Sequence, residues 1–455
     1  MEIKVSQNLK NLAEILDGDL YIVGGCVRNA FLNLSESDID LTGSLTPPQV
    51  IEKVGDKFKI ISDYASFGSL LIVCGEEKFE YTTFRQDSYL LDSHRPCEVK
   101  FTKNIEIDAK RRDFSCNAIY YKIDERKIID PLGGVKDIER KILKSCNGEK
   151  TFSEDGLRIL RLIRQSGELG FEIDDDTMKY AKSNVGNLRG ISKERIRDEF
   201  DKILVCDFKY GNGDPTRLFN ALELMRTLGV WELVLPQMML GYGMKQNPIY
   251  HEKDVYYHSL AVCCNCEKDL RLAGLLHDIA KPVVFLRDGV FHNHDIEGYK
   301  LIKEILGQDG LKYPNAVVEK TARLSLNHMK DLKGELKLRK LKLFILQNYD
   351  IIDDIIKIKI ADGKGCKTAN CDSKPILRWV EVLKEMREKN LPFDLKNLKI
   401  NGLDILEIVG EENSKYISKI LDKLQGLVIV EEIPNENERL KRKVSSVLIE
   451  VKNAE

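Results

Sequence analysis

Between Leu20 and Gly43 the chain reads LYIVGGCVRNAFLNLSESDIDLTG, and three residue types with chemical capacity meet there. Gly24 and Gly25 follow a short apolar run and precede a helix-like stretch that starts near Cys26. A strand, a two-glycine turn and a helix start expose N–H groups that suit a phosphate. Arg28 sits in the first turn of that helix and adds a fork of donors for the same anion. Asp38-Ile39-Asp40 then leads into Leu41. On a strand, residues two apart share a face, which places the two carboxylates on one side, roughly 7 Å apart. Such a pair suits Mg2+, a hard cation that takes oxygen ligands and substrate phosphates together. Either feature alone is commonplace, a turn or a solvated strand end. The combination, in this order and with Arg28 between, points to metal-assisted chemistry on a phosphate.

The elements that must position these groups can be read outward from them. Val5 to Leu16 has the pattern of an amphipathic helix, and Thr46-Pro47-Pro48 starts another, with Pro in the first turn. Strand-like runs at Ser69 to Cys74 and Phe79 to Phe84 form a hairpin about Gly75. Glu80 lies on the second run and is the candidate third carboxylate. Residues 85–99 are polar, include Arg85, Tyr89, Asp92, Arg95 and Pro96, and are too long for a hairpin turn. Long ordered loops of this kind are often functional. Arg111-Arg112-Asp113-Phe114 follows, then Asn117-Ala118. The two Arg can carry phosphate charge. Asp113 can accept from a ribose hydroxyl or fix an Arg, and Asn117 offers both donor and acceptor.

Ser153 reads as an N-cap to a helix running EDGLRILRLIR. Asp155 and Arg158 are three apart on it and share a side. Cytosine and adenine both present an amino donor beside a bare ring nitrogen, whereas uracil and guanine present the reverse. One acid beside one Arg therefore accepts C and A and rejects U and G. A missed buried hydrogen bond costs about 1–3 kcal/mol, enough to discriminate. Arg161 and Arg164 continue the same face toward base or phosphates. Residues 191–204 read as a capped scaffold helix, and Trp231, near the end of a helix pair over 215–235, reads as core.

Gly24-Gly25-Cys26-Val27-Arg28 with Asp38-Ile39-Asp40, then Arg111-Arg112-Asp113-Phe114 with Asn117-Ala118, then Glu154-Asp155 with Arg158, resemble the motifs of the tRNA nucleotidyltransferase and bacterial poly(A) polymerase family. Two positions depart from the family pattern: Asn29 stands where it has Asp, and Ser115 where it has Thr. The resemblance implies an α+β fold, with a small polymerase-β-like head of mixed sheet and helices and then an extended all-helical body. It implies that Glu80, just before Thr82-Thr83-Phe84-Arg85, joins Asp38 and Asp40. It implies that the 85–99 loop helps switch from adding C to adding A, and that Asp155 and Arg158 act as an amino-acid template which Glu154 orients. The nucleotide-binding set it implies is Gly24, Gly25, Arg28, Arg111, Arg112, Asp113, Asn117, Asp155, Arg158 and Arg161.

Five of the seven His fall between 251 and 294. His258, then His277-Asp278, then Asp362 resemble the ligand order of the HD phosphohydrolase superfamily. Imidazoles and carboxylates suit a divalent transition metal. His251, His294 and His328 are read as surrounding groups or phosphate contacts. Cys263, Cys264 and Cys266 lack a second matching set, which argues against zinc. Toward the end, Lys441, Arg442 and Lys443 lie on a helix that resembles the family's tail, and the resemblance implies that they meet RNA phosphate without reading sequence.

The whole chain has 455 residues, a formal net charge of −2 and 43% hydrophobic residues. Its bulk charge alone predicts no nucleic-acid partner, so any RNA contact must come from local patches. No apolar run reaches membrane-spanning length. With scattered cysteines and no secretory leader, a cytoplasmic location is expected. The expected division is a head at 1–145, a base-selecting neck and RNA-binding region at 146–245, an HD domain at 246–372 and a tRNA-binding tail at 373–455. The expected function is CCA addition to tRNA from CTP and ATP with release of pyrophosphate, by a monomer or homodimer using Mg2+. A second divalent metal is expected in the HD domain. Poly(A) polymerase or A-addition alone is the near alternative. An HD-type phosphohydrolase with a nucleotide-binding head, or a non-catalytic RNA-binding protein, is the alternative of another class.

Overall fold

The computed structural model describes residues 3–34, 38–88, 98–366 and 374–453. They form two compact units: residues 1–239 with 305–313, and residues 240–304 with 314–455.

The first unit begins with helix α1 (Gln7–Ile15), capped by Ser6, whose Oγ accepts from the N–H of Leu9. Strand β1 (Tyr21–Val23) runs into helix α2 (Gly25–Leu32), and β2 (Asp40–Gly43) follows. Helix α3 (Pro47–Val54) starts where Thr46-Pro47-Pro48 predicts, with a Thr46/Gln49 capping box. Next come β3 (Lys59–Ile61), β4 (Ser69–Cys74) and β5 (Glu77–Thr83), the last two forming the expected hairpin. Beyond β6 (Arg85–Ser88), β7 (Glu98–Phe101) and helix α4 (Ile105–Arg111) lie β8 (Tyr120–Lys122), β9 (Lys127–Ile129) and helix α5 (Gly134–Arg140).

Among the described residues, seven strands make one mixed sheet in the order β3-β4-β5-β2-β1-β8-β9. Its pairs are antiparallel except β2 with β5. Register puts Asp40 between Val23 on one side and Glu80 on the other. In β4, side chains alternate between buried and half-buried, as a strand with one face on the core requires.

Two sequence expectations change here. First, β2 begins at Asp40, so Asp38 precedes the strand and does not share its pleat. Second, residues 85–99 are not loop throughout: Arg85–Ser88 pairs antiparallel with Glu98–Phe101 as a separate ribbon. Tyr89, Asp92, Arg95 and Pro96 lie outside the described residues, as does any part they play in switching bases.

The helical remainder of this unit holds a third change. Helix α6 (Lys150–Glu154) stops at Asp155, which is extended, and α7 (Leu157–Leu169) starts after Gly156. Ser153 therefore lies inside α6 and caps nothing. Asp155 instead caps α7, its carbonyl accepting from the Arg158 N–H at 3.1 Å. Beside the break, a Cβ on Gly156 would lie 2.7 Å from the carbonyl carbon of Asn187, so only glycine allows this approach. Helices α8 (Asp175–Ser183), α9 (Lys193–Leu204), α10 (Cys206–Tyr210), α11 (Pro215–Leu228) and α12 (Trp231–Val234) complete the layer, with α13 (Gln237–Leu240) at its end. Trp231 is fully buried, stands edge-on to Phe200 at 5.9 Å and donates from Nε1 to the Leu222 carbonyl. It is core, as its sequence context suggests.

The second unit is helical throughout its described residues. It contains α14 (Val255–Asn265), α15 (Arg271–Leu276), α16 (Lys281–Asp288), α17 (His294–Leu306), α18 (Asn315–Asn327), α19 (Leu338–Gln347) and α20 (Ile352–Cys366). Helices α21 (Lys374–Glu388), α22 (Gly402–Val409), α23 (Ile417–Ile429) and α24 (Asn437–Asn453) follow. One apolar core surrounds Ile355, Trp379 and Met386, and a second gathers Ile405, Leu424, Leu440 and Val444. Cys266 is buried within the first of these cores, and Cys263 is buried as well. No disulfide forms among the described cysteines. No described helix is long and apolar enough to cross a membrane.

Candidate active site

The first unit contains a cleft of about 660 Å³ into which the β1–α2 turn, the start of β2, the end of α4 and helix α7 all project. Its lining carries nine basic side chains, Arg28, Arg85, Arg111, Arg112, Arg158, Arg161, Arg164, Arg195 and Lys209. Six acidic ones oppose them: Asp38, Asp40, Asp87, Asp113, Asp155 and Glu168. A chain with almost no net charge thus concentrates positive charge where a polyanion could enter.

At one wall, Gly24 takes φ +83°, a left-handed conformation that glycine tolerates. A Cβ there would sit 3.1 Å from Asp40 Oδ2, so the missing side chain also lets the turn pass over the carboxylate. Asp38 and Asp40 both reach the cleft. Glu80 stands beside Asp40 across the parallel β2–β5 pair but is not among the lining residues. Partial burial in the cleft wall, then the neighbouring charges of Glu80 and Asp38, push the Asp40 carboxyl up to about 6, against the pull of Arg112. Crowded carboxylates with too little opposing charge form a cation site. The carboxylates of Asp38 and Asp40 in the cleft offer only oxygen, the donor type that suits a hard divalent ion, with Glu80 on the neighbouring strand.

Arg28 is buried and its fork is turned inward. Nη1 donates to Asn117 Oδ1 at 2.6 Å, while Nε and Nη2 donate to Asn29 Oδ1 at 3.3 and 2.9 Å. Asn29 Nδ2 in turn donates to the Tyr210 hydroxyl at 2.9 Å. Asn117 is also committed: its Nδ2 donates to Asp113 Oδ1 at 3.1 Å and to Gln165 Oε1 at 2.9 Å. Asn117, read from sequence as offering both donor and acceptor, thus uses both on its neighbours. Burial alone would raise the Asp113 carboxyl, but Arg161 and hydrogen bonds from Asn117 and the Phe114 N–H hold it below the usual range.

The adjacent Arg111 and Arg112 are pinned by a residue that sequence reading passed over. Asp108 is fully buried and accepts from Arg111 Nε at 2.7 Å, from Arg112 Nε and Nη2 at 3.2 and 3.1 Å, and from the Tyr120 hydroxyl at 2.7 Å. Burial would raise this carboxyl too, but Arg112 and Arg111 outweigh it and hold it low. An acid three and four residues ahead of two Arg on one helix was the available signal.

Asp155 and Arg158 both line the cleft despite the helix break. Asp155 Oδ1 accepts from the Leu157 N–H at 3.0 Å, and Oδ2 lies 3.7 Å from Arg195 Nη2. Arg158 donates to the Thr151 carbonyl at 3.1 Å and the Arg111 carbonyl at 2.6 Å. Two of the five N–H donors of its guanidinium are thus used on backbone. Arg161 is half-exposed, and its buried Nε has no hydrogen-bond partner. Arg164, read from sequence as a base or phosphate contact, is spent on Glu168 and Glu199 at 3.0 and 2.8 Å. Glu154 lies outside the lining.

In the second unit, His258, His277, Asp278 and Asp362 converge as their order suggests. His258 Nε2 lies 3.1 Å from Asp362 Oδ1 and 3.6 Å from Asp278 Oδ2, and His277 Nε2 lies 3.1 Å from Asp278 Oδ2. His294 and His328 come as close to Asp278, at 3.2 and 3.3 Å. Lys441, in the tail, pairs with Asp404 at 3.0 Å.

Comparison with known proteins divides the chain along similar lines. Residues 20–144 match the poly A polymerase head domain, 170–240 the probable RNA and SrmB-binding site of polymerase A, and 255–363 the HD domain. A CCA-adding enzyme from Geobacillus stearothermophilus is 29% identical over 432 residues, 93% of this chain and 91% of that one. One from Streptococcus pneumoniae serotype 19F is 37% identical over 193 residues, 42% of this chain, and the match spans about half of its length, 47%. The crystal structure of the Bacillus stearothermophilus CCA-adding enzyme in complex with CTP covers 99% of this chain and is itself covered fully, with a TM-score of 0.63 at 26% identity.

Proposed function

The chain belongs to the tRNA nucleotidyltransferase and poly(A) polymerase family, and on that premise we propose that it adds C, C and A to the 3′ end of tRNA in the cytoplasm. CTP and ATP are the donors and pyrophosphate is released. The observation that carries this reading is the juxtaposition of an acidic triplet, Asp38, Asp40 and Glu80, with an arginine-lined cleft roofed by Gly24.

In this reading the tRNA 3′ hydroxyl attacks the α-phosphorus of the bound nucleotide, the bond to the β-phosphate oxygen breaks, and pyrophosphate leaves. Asp38 and Asp40, with Glu80 behind them, would hold Mg2+, which supplies charge to acidify the hydroxyl and neutralise the leaving group. The Gly24-Gly25 turn admits the triphosphate. Arg111 and Arg112, braced by Asp108, present cations to it. Arg28, Asn117, Asp113 and Gln165 keep the floor rigid, so that little reorganisation accompanies nucleotide binding. Asp155, with the donors that Arg158 has left and those of Arg161, reads the pairing edge of the base. The helical body would hold the acceptor end by phosphate contacts and duplex shape.

We take 1–145 as head, 146–245 as neck, 246–372 as HD domain and 373–455 as tail. In the HD domain, His258, His277, Asp278 and Asp362 would hold a divalent transition metal suited to phosphoester hydrolysis.

The test is single-nucleotide incorporation by the purified chain on tRNA ending before C74, before C75 and before A76, with each NTP alone. The expected products are C, C and A respectively. Repeated A addition without C would instead assign a poly(A) polymerase or an A-adding enzyme. Binding of tRNA with no Mg2+-dependent pyrophosphate release would overturn catalysis.

A further inference from the structure

Helix α7 walls the cleft along most of its length, and its two ends carry different chemistry. Arg158, near its start, donates to the Arg111 carbonyl at 2.6 Å. Gln165, farther along, accepts from Asn117 at 2.9 Å. Glu168, near its end, faces Lys209. Ten residues separate Arg158 from Glu168, a rise of roughly 15 Å, and an extended nucleoside triphosphate is about as long.

Lys209 comes from α10, a short helix to which no motif of the sequence points. Its place is fixed from two sides. Helix α10 lies flush on α7, where Cys206 Sγ leaves no room for a Cβ on Gly167. The neighbouring Tyr210 hydroxyl accepts from Asn29 Nδ2 at 2.9 Å, and Asn29 is itself locked to Arg28. The end of α10 is thereby tied to α2 one turn beyond Gly24-Gly25. Both Lys209 and Tyr210 line the cleft.

The Lys209 ammonium is weakly engaged there. Its side chain is 48% exposed, and Glu168 Oε1 stands 3.7 Å away, beyond hydrogen-bond length. Glu168 already accepts from Arg164 at 3.0 Å, and Glu199 accepts from Arg164 at 2.8 Å and from Lys202 at 3.1 Å. Arg164, Lys202 and Lys209 thus share two carboxylates, and Lys209 has the longest of these contacts. Its Nζ lies 5.4 Å from the centre of the Tyr210 ring, which attracts the charge without using its N–H donors.

In the nucleotidyltransferase reading, the base lies against Asp155 and the α-phosphate against Asp38 and Asp40. The β- and γ-phosphates are what remains to extend toward the other end of α7. We propose that Lys209 binds the terminal phosphates of CTP and ATP, and holds pyrophosphate until it departs. This rests on that reading and adds to it a residue from α10. A contact to phosphate serves both nucleotides alike and takes no part in choosing the base.

The test is isothermal titration calorimetry of CTP, CMP and pyrophosphate with the full chain, in Mg2+ and without tRNA. The parent is expected to bind CTP more tightly than CMP. Lys209→Gln should weaken CTP and pyrophosphate about 10- to 100-fold and leave CMP within about twofold. Lys209→Arg keeps the charge and should recover most of the CTP affinity. In turnover, Lys209→Gln should raise the KM for CTP and for ATP by the same factor and leave discrimination against UTP as in the parent. Unchanged CTP affinity in Lys209→Gln overturns the inference. So does an equal loss for CTP and CMP, which would mean that the substitution acts through the fold around α10. A parent that binds CTP no more tightly than CMP overturns the nucleotidyltransferase reading, and the inference with it.

Discussion

Asn29 Oδ1 accepts from both Nε and Nη2 of Arg28, at 3.3 and 2.9 Å, inside the wall of the cleft. This accounts for an Asn where the family pattern has Asp. The structure needs an acceptor at that atom, and either residue supplies one. Asn29→Asp should therefore change the KM for CTP by less than about threefold, with the Tyr210 hydroxyl turning to donate. Asn29→Leu removes the acceptor and strands buried donors, at a cost of about 1–3 kcal/mol. Urea denaturation and the nucleotide KM would distinguish the two, and equal losses in both would refute the explanation.

Asp40 offers a pH test. Its carboxyl titrates at about 6 in the metal-free site, well above its ordinary 3.8. In the proposed reading the ionised form holds the cation, so at limiting Mg2+ activity should fall about tenfold per pH unit below 6. Saturating Mg2+ competes with the proton and should move the midpoint down. The stability effect has the opposite sign. A folded-state value above the unfolded one means that the folded chain binds the proton more tightly, so this contribution favours folding at low pH and is lost as pH rises from about 4 to 6. Asp40→Asn should thus raise the melting temperature of the metal-free protein at pH 7 while abolishing activity. A lower melting temperature would contradict the crowding of carboxylates described above.

Asp108 is the buried brace under Arg111 and Arg112. Asp108→Ala leaves two guanidinium groups without their carboxylate, and such losses cost about 3–5 kcal/mol. The folded carboxyl is held below the 3.8 of the free group, so its contribution is present above pH 4 and is lost as pH falls through that range. Urea titrations at pH 7 and at a pH well below 3.8, where the folded carboxyl is protonated as well, should show the mutant and parent converging at the lower pH. A constant gap would assign the effect to packing alone.

Much of this site was legible because its motifs are local. The Gly24-Gly25 turn, the acids at 38 and 40, and the 277–278 pair each state their chemistry within a few residues. What escaped depends on tertiary neighbours. Asp108 looked like one charge among many until the α4 backbone brought it under both Arg. Gln165 follows Arg158 by seven residues, two turns along one face of α7, yet nothing local shows that Asn117 meets it. At the break beside Asp155, the Asn187 backbone lies so close to Gly156 that no side chain fits, a contact that helix propensity cannot report. Glu80 was found by its neighbour Thr82-Thr83-Phe84-Arg85, and its place beside Asp40 came only from strand register.

In the proposed reading, base choice rests on Asp155. Asp155→Asn keeps Oδ1 as acceptor for the Leu157 N–H and converts the other oxygen to a donor. That removes acceptance of an amino group and admits a carbonyl. Discrimination of CTP over UTP should fall about 5- to 150-fold, the equivalent of 1–3 kcal/mol. Competition between labelled CTP and UTP on tRNA lacking its last three nucleotides measures it. Unchanged discrimination would move base reading to other residues.

The most direct measurement is extension of tRNA lacking its 3′ CCA by chains carrying Asp38→Ala or Asp40→Ala, with CTP, ATP and Mg2+ and with pyrophosphate release followed. The account predicts that the parent completes CCA and that each variant, still folded and still binding tRNA, loses at least 10³-fold in rate, a barrier increase of about 4 kcal/mol. Extension at near-parental rate by either variant would contradict it.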